Sequence, residues 1–229
     1  MGTIFEKVKE KIENYDVQRK GQQYNNAYRK VLNARAGSSS LIDEDGNVSH
    51  QSLEVIEEGL RRFEMARFGK MDSKFSDRLK KKLQRNGIRE ILKKFRNLRI
   101  ESQEWREYRD YAKKLYDILS AGGADGLSAD GDRFDVGTTK IMNFLFPELF
   151  VMVDRHVAET LIELRLIRIP RKGGTWDYSF GSYWRIMEIC DQELKRYRER
   201  YGSVQSLLES DKQPTTLTRI FDKCSFKKK

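Results

Sequence analysis

Apolar residues return every three or four positions along almost the whole chain, and only 3 prolines in 229 residues interrupt them. That spacing lays one apolar stripe along each α-helix, and a chain with so few residues lacking a backbone N–H offers little to break it. The expected fold class is all-α. Helices are predicted over residues 4–17, 24–35, 52–67, 73–85, 88–98 and 102–119, then over 138–146, 155–166, 182–201, 204–209 and 215–223. Asn86-Gly87 reads as a helix stop, because both residues tolerate the left-handed backbone that ends a helix.

Two stretches, AGSSSLIDEDGNVSH and SAGGADGLSADGDRFD, collect small and acidic residues without periodicity and read as joints or mobile surface loops. IRIPRKGGTWDY is a further loop with room for a short hairpin. The length suits one compact domain with its own core. Within it two lobes are expected: a basic helical lobe over residues 36–133, and a second built from residues 1–35 together with 134–229.

Charge narrows the class of partner. The formal net charge is +10, and it is concentrated. Leu60 to Lys114 holds 19 Lys and Arg against 8 Asp and Glu, a local +11, so the remainder is close to neutral. The densest part, RLKKKLQRNGIREILKKFRNLR, reads as two helices whose apolar stripe (Leu79, Leu83, Ile88, Ile91, Leu92, Phe95) turns inward. Too few carboxylates balance the outer face, which favours phosphate contact over a merely solvated surface. Lys80, Lys81, Lys82, Lys93, Lys94 and Arg96 are the candidate contacts.

With no apolar run near the roughly 20 residues that cross a bilayer, no membrane is expected as a partner. The opening MGTIFEKVKEKIENY is charged from its sixth residue, unlike a secretory leader. Two cysteines, Cys190 and Cys224, do not make a disulfide framework or a four-thiolate site. An intracellular setting, cytoplasmic or nucleoid-associated, is the expectation. The 2 histidines, His50 and His156, lie far apart, so no metal and no cofactor is expected.

Against this polar background the stretch GTTKIMNFLFPELFVMVDRHV stands out: an apolar helix ends at Pro147, the chain restarts, and Asp154 and His156 follow two residues apart. Val136-Gly137, then TTKIMNFLF and PELFVM, then Val153-Asp154-Arg155-His156-Val157 resemble the helix-hairpin-helix core of the base-excision DNA glycosylase superfamily. In that family a G-V-G hairpin leads into a helix, and a V-D-x-H-V segment follows with the catalytic aspartate at its centre. The resemblance covers residues 134–166.

It implies a two-lobed helical bundle with a helix-hairpin-helix DNA-binding core, double-stranded DNA as partner, and cleavage of the N-glycosidic bond of a damaged base. Gly137, Thr138 and Thr139 would meet a phosphate at the turn, where exposed amides donate to its oxygens. Asp154 would face positive charge growing on the sugar as the base departs. Members that also cut the backbone carry a Schiff-base lysine two residues after the hairpin glycine. Thr139 stands there in this chain and Lys140 follows, a rotation of about 100° on a helix, so Lys140 is a candidate nucleophile or phosphate ligand.

Plainer roles stand beside these. Asp154 also suits an N-cap of the helix that starts at Arg155, a role compatible with catalysis. His156 suits a structural or phosphate-contacting role as well as that of a general base. Phe134, Trp176, Tyr178, Tyr183 and Trp184 are possible lining groups for an extruded base. A noncatalytic nucleic-acid-binding protein using the same hairpin and basic helices is the leading alternative. A nuclease in which FVMVD is a strand and Asp154 binds a divalent metal is the third reading.

Overall fold

The computed structural model describes residues 3–38, 41–63, 70–85, 87–168, 171–172 and 175–226. The chain is mostly helical, as its periodicity predicts. In order come α1 (Val8–Asp16), α2 (Arg19–Ser38), α3 (His50–Arg62), α4 (Phe75–Leu83) and α5 (Ile88–Phe95), followed by α6 (Arg109–Ser120), α7 (Asp135–Leu145) and α8 (Arg155–Glu163). A two-stranded antiparallel pair, β1 (Arg171–Lys172) and β2 (Thr175–Trp176), then precedes α9 (Phe180–Tyr201), α10 (Gln205–Glu209) and α11 (Leu217–Ser225).

Local chemistry sets most boundaries. Ser49 caps α3 by accepting the Ser52 N–H at 3.0 Å, and Leu53, Ile56 and Leu60 turn one face of that helix into the core. Gly87 opens α5 at φ 81°, a left-handed conformation in which a side chain would be strained. Asn86 and the 64–67 end of the third predicted helix lie outside the described residues. The predicted helix 102–119 is in fact two pieces, a 3₁₀ turn at Glu104–Tyr108 and then α6.

The second acidic loop, 121–134, is tied down and does not hang free. Lys70 pairs with Asp130 and Asp132, the Ala129 N–H donates to the Lys70 carbonyl at 3.1 Å, and Arg78 reaches the Leu127 carbonyl at 3.2 Å. In the first, the Asp43 carboxylate closes its own turn by accepting the Asp45 and Asn47 N–H groups at 3.0 and 2.7 Å.

The buried apolar side chains form one connected cluster that runs through both expected lobes. Phe63 meets Phe144 with ring centres 5.8 Å apart, and Phe75 meets Phe134 at 5.7 Å. No helix among the described residues is long and apolar enough to cross a membrane. Cys190 and Cys224 are free and buried.

Helix α11 fastens the two ends of the chain together through buried charges. Lys223 donates to Asp211 at 2.7 Å and to Asp16 at 3.0 Å, while Arg219 pairs with Asp222 and donates to the Tyr15 hydroxyl at 2.7 Å. A buried ion pair contributes little net stability when intact, but removal of one partner strands the other. Lys223→Met is therefore expected to lower the unfolding free energy at pH 7 by about 3–5 kcal/mol. Urea unfolding followed by circular dichroism measures it, and a loss under about 1 kcal/mol would mean that Asp211 and Asp16 find other partners.

Candidate functional site

Helix α7 is buried on nearly every side from Gly137 to Leu145, so its polar residues face protein and not solvent. Two of them hold the chain that follows. The Thr139 hydroxyl accepts the Val153 N–H at 3.0 Å and lies 3.1 Å from the Val153 carbonyl and 2.9 Å from that of Val136. One turn on, Asn143 donates to the Phe150 carbonyl at 2.5 Å and to Thr218, whose hydroxyl reaches the Pro147 carbonyl at 2.5 Å. Residues 147–153 are thereby laid along α7 without a sheet to satisfy their backbone.

That placement delivers Asp154 to the start of α8. One carboxylate oxygen, Oδ1, accepts the N–H groups of His156 and Val157 at 2.9 and 3.3 Å. Oδ2 has no hydrogen bond among the described residues. The N-cap reading of Asp154 is thus correct, and half of the carboxylate remains available.

Asp154 opens into a cleft of about 560 Å³. Gly137, Lys140 and His156 line the same cleft, as do Phe134, Trp176 and Tyr178, so it unites seven of the residues singled out in the sequence. Its walls include the rings of Tyr24, Phe63, Phe134, Trp176 and Tyr178. Five cations (Lys20, Lys70, Arg133, Lys140, Arg155) face two carboxylates (Asp135, Asp154), a local excess of positive charge. Several are already engaged: Arg133 forks onto Asp135 at 2.7 and 3.1 Å, and Arg155 bonds Glu159 at 2.6 Å.

Lys140 is only 4% exposed, and its ammonium lies 5.6 Å from the centre of the Phe63 ring. The phenol of Tyr178 is pushed well above its usual pKa by burial and by the Asp154 charge, so it stays neutral and able to donate. His156 packs its ring 4.4 Å from that of Phe226 and leaves Nδ1 buried without a partner among the described residues.

Other expectations are not met. Gly137 lies inside the first turn of α7, not in a turn ahead of it, and α6 and α7 are joined by the long loop 121–134. The Thr138 N–H already donates to the Phe134 carbonyl at 2.8 Å, and the Thr138 side chain is buried. Thr139, 1% exposed, spends its hydroxyl on Val153. Neither threonine can offer its hydroxyl to a phosphate. Lys82 is 2% exposed and donates to the Ile118 carbonyl at 2.6 Å, with burial holding its pKa below the usual lysine value. Tyr183 and Trp184 belong to the core and line no part of the cleft.

Lys80 and Lys81 on α4 are exposed, and Lys81 reaches Asp125 at 3.4 Å. On α5, Lys93 pairs with Glu90 at 3.1 Å and Lys94 lies 4.9 Å from the Tyr111 ring centre; Arg96, just beyond that helix, comes within 3.8 Å of Glu44. These five residues form no part of the cleft wall. Lys20, Tyr24, Phe63 and Lys70 carry no sequence signal for the cleft, since each comes from a segment remote from residues 134–156. Among the described residues no group of three or more His, Cys, Asp or Glu side chains is placed to hold a metal ion. Residues 151–154 have no regular secondary structure and pair with no strand among the described residues.

No protein-family model matches the chain, and comparisons with curated proteins and with solved structures return no match.

The Thr139 hydroxyl is the testable joint of this site. Thr139→Val keeps the shape but leaves the Val153 N–H buried and unbonded, and is expected to cost about 1–3 kcal/mol. Thr139→Ser restores the oxygen and should recover most of that loss in the same denaturant titration. Equal stability of the valine and serine proteins would show that the hydroxyl does not carry the contact.

Proposed function

We propose that this chain binds DNA, receives an extruded damaged or modified base in the cleft at Asp154, and cleaves its N-glycosidic bond in the manner of the helix-hairpin-helix glycosylases that residues 134–166 resemble. One observation carries the reading. The unbonded oxygen of Asp154 faces a cleft with aromatic walls and surplus positive charge.

The chemistry such a reaction needs is available there. As the bond to the base lengthens, positive charge develops on the sugar ring, and a fixed carboxylate stabilises it without reorganising. The cap bonds to His156 and Val157 hold Asp154 in one orientation, so little ordering remains for the moment of reaction. Aromatic rings offer an unstacked base new faces, which offsets part of the cost of leaving the duplex. The neutral Tyr178 phenol supplies a donor in the same cleft. Lyase activity requires in addition that the Lys140 amine attack the sugar.

Asp154→Asn keeps the cap acceptor and removes the charge. On duplexes bearing modified bases, in the presence of chelator, base release is expected to fall about 10²–10³-fold while duplex affinity stays within about twofold. Absence of base release by the parent protein across a broad panel would remove the enzyme reading. A borohydride-trapped adduct that disappears in Lys140→Gln would add lyase chemistry.

A noncatalytic nucleic-acid-binding role is the second reading, favoured by the position of Lys80, Lys81, Lys93 and Lys94 on helices apart from the cleft. Both readings place duplex phosphates on these helices. Lys80→Ala combined with Lys81→Ala should reduce the slope of log affinity against log salt by about 0.9 for each phosphate no longer neutralised. An unchanged slope would move the duplex off α4.

A further inference from the structure

Among the described residues, Lys140 is a cleft cation with no carboxylate against it. Lys140 is buried, and its ammonium has no hydrogen bond and no ion pair within 4.0 Å among the described residues. Its charge is felt by Asp222, but that carboxylate is committed to Arg219. The neighbouring cations differ: Lys70 is held by Asp130 and Asp132, and Arg133 by Asp135. An ammonium that borders a cleft with no carboxylate against it can make a charge-assisted hydrogen bond with a group from outside, and an anion arriving from solution would supply one.

A neutral base entering alone would not. The remaining wall, with the partly buried Trp176 and Tyr178, suits a planar heterocycle. The volume of about 560 Å³ falls within the range of roughly 300–1,000 Å³ of pockets that enclose one small organic molecule.

We propose that the cleft recognises a nucleoside phosphate as a unit, with the phosphate on Lys140 and the base against Trp176 and Tyr178. This rests on the reading of the cleft as a nucleic-acid site and narrows its ligand: the charge enters with the ring. A free mononucleotide and a nucleotide extruded from a strand share that chemistry.

Tryptophan fluorescence tests it on the intact chain, because Trp105 and Trp184 are buried in the core and Trp176 lines the cleft. The probes are deoxyadenosine 5′-monophosphate, deoxyadenosine and a short single-stranded oligonucleotide. The mononucleotide is expected to quench saturably at a concentration at least about tenfold below that of the nucleoside, a ratio typical of one charge-assisted contact. Lys140→Gln should bring the two within about twofold, Lys140→Arg should preserve the preference, and Trp176→Phe should remove the signal.

Quenching by the oligonucleotide alone, weakened in Lys140→Gln, would assign the ligand to a nucleotide within a strand. Equal affinity for nucleotide and nucleoside in the parent protein would overturn the proposal, whatever the glutamine variant does. So would a preference unchanged in a folded Lys140→Gln. Base release from duplexes without any nucleotide preference would refute this inference and leave the glycosylase reading standing; the preference without base release would do the reverse.

Discussion

Buried polar side chains of α7 tie the following segment to that helix, and the Thr139 hydroxyl is the one nearest the cleft. Thr139 sits inside a helix buried on nearly every side and bonds the backbone of Val153, fourteen residues further along the chain. That contact helps to keep residues 147–153 against α7, since no strand among the described residues pairs with their backbone. Asn143 repeats the device one turn on, and Thr218 brings α11 into it. Lys140 on the helix and Asp154 at the end of the segment that follows it line the same cleft, and the two segments are pinned together between them. Polar atoms in the core therefore act as fasteners, and apolar packing supplies the bulk.

The same division explains what the amino-acid sequence discloses. Helices with one apolar stripe, such as α3, α5 and α9, are legible because burial on one face imposes a period, and the left-handed Gly87 is legible because few other residues tolerate that backbone. Asp154 is legible too, as a cap and as a cleft residue, because both roles demand a short carboxylate ahead of a helix. Thr138, Thr139 and Lys82 mislead. A polar side chain in sequence looks the same whether it meets solvent or closes a bond inside the core, and these three are buried. The division of residues 102–119 into a 3₁₀ turn and a helix is equally hidden, since both keep similar apolar spacing.

Charge distribution shows a similar contrast between composition and arrangement. The excess of lysine and arginine between Leu60 and Lys114 is real, yet its members serve different ends. Lys70 and Arg78 anchor the acidic loop 121–134, Lys82 is bonded inside the fold, and Lys80 and Lys81 stay in solvent. Arg219 and Lys223, on the other hand, lie outside that segment and are among the most deeply buried cations of the chain. The acidic loop, by holding Lys70 and leading into Arg133, helps to shape the cleft rim that a count of charges would have assigned to the basic helices alone.

Gly137 has a steric role inside α7. A Cβ atom built there would lie 2.0 Å from the Phe134 ring, which itself forms part of the cleft wall. Even an alanine methyl would have to displace that ring and so change the cleft wall. The shape of that wall thus depends on one absent carbon.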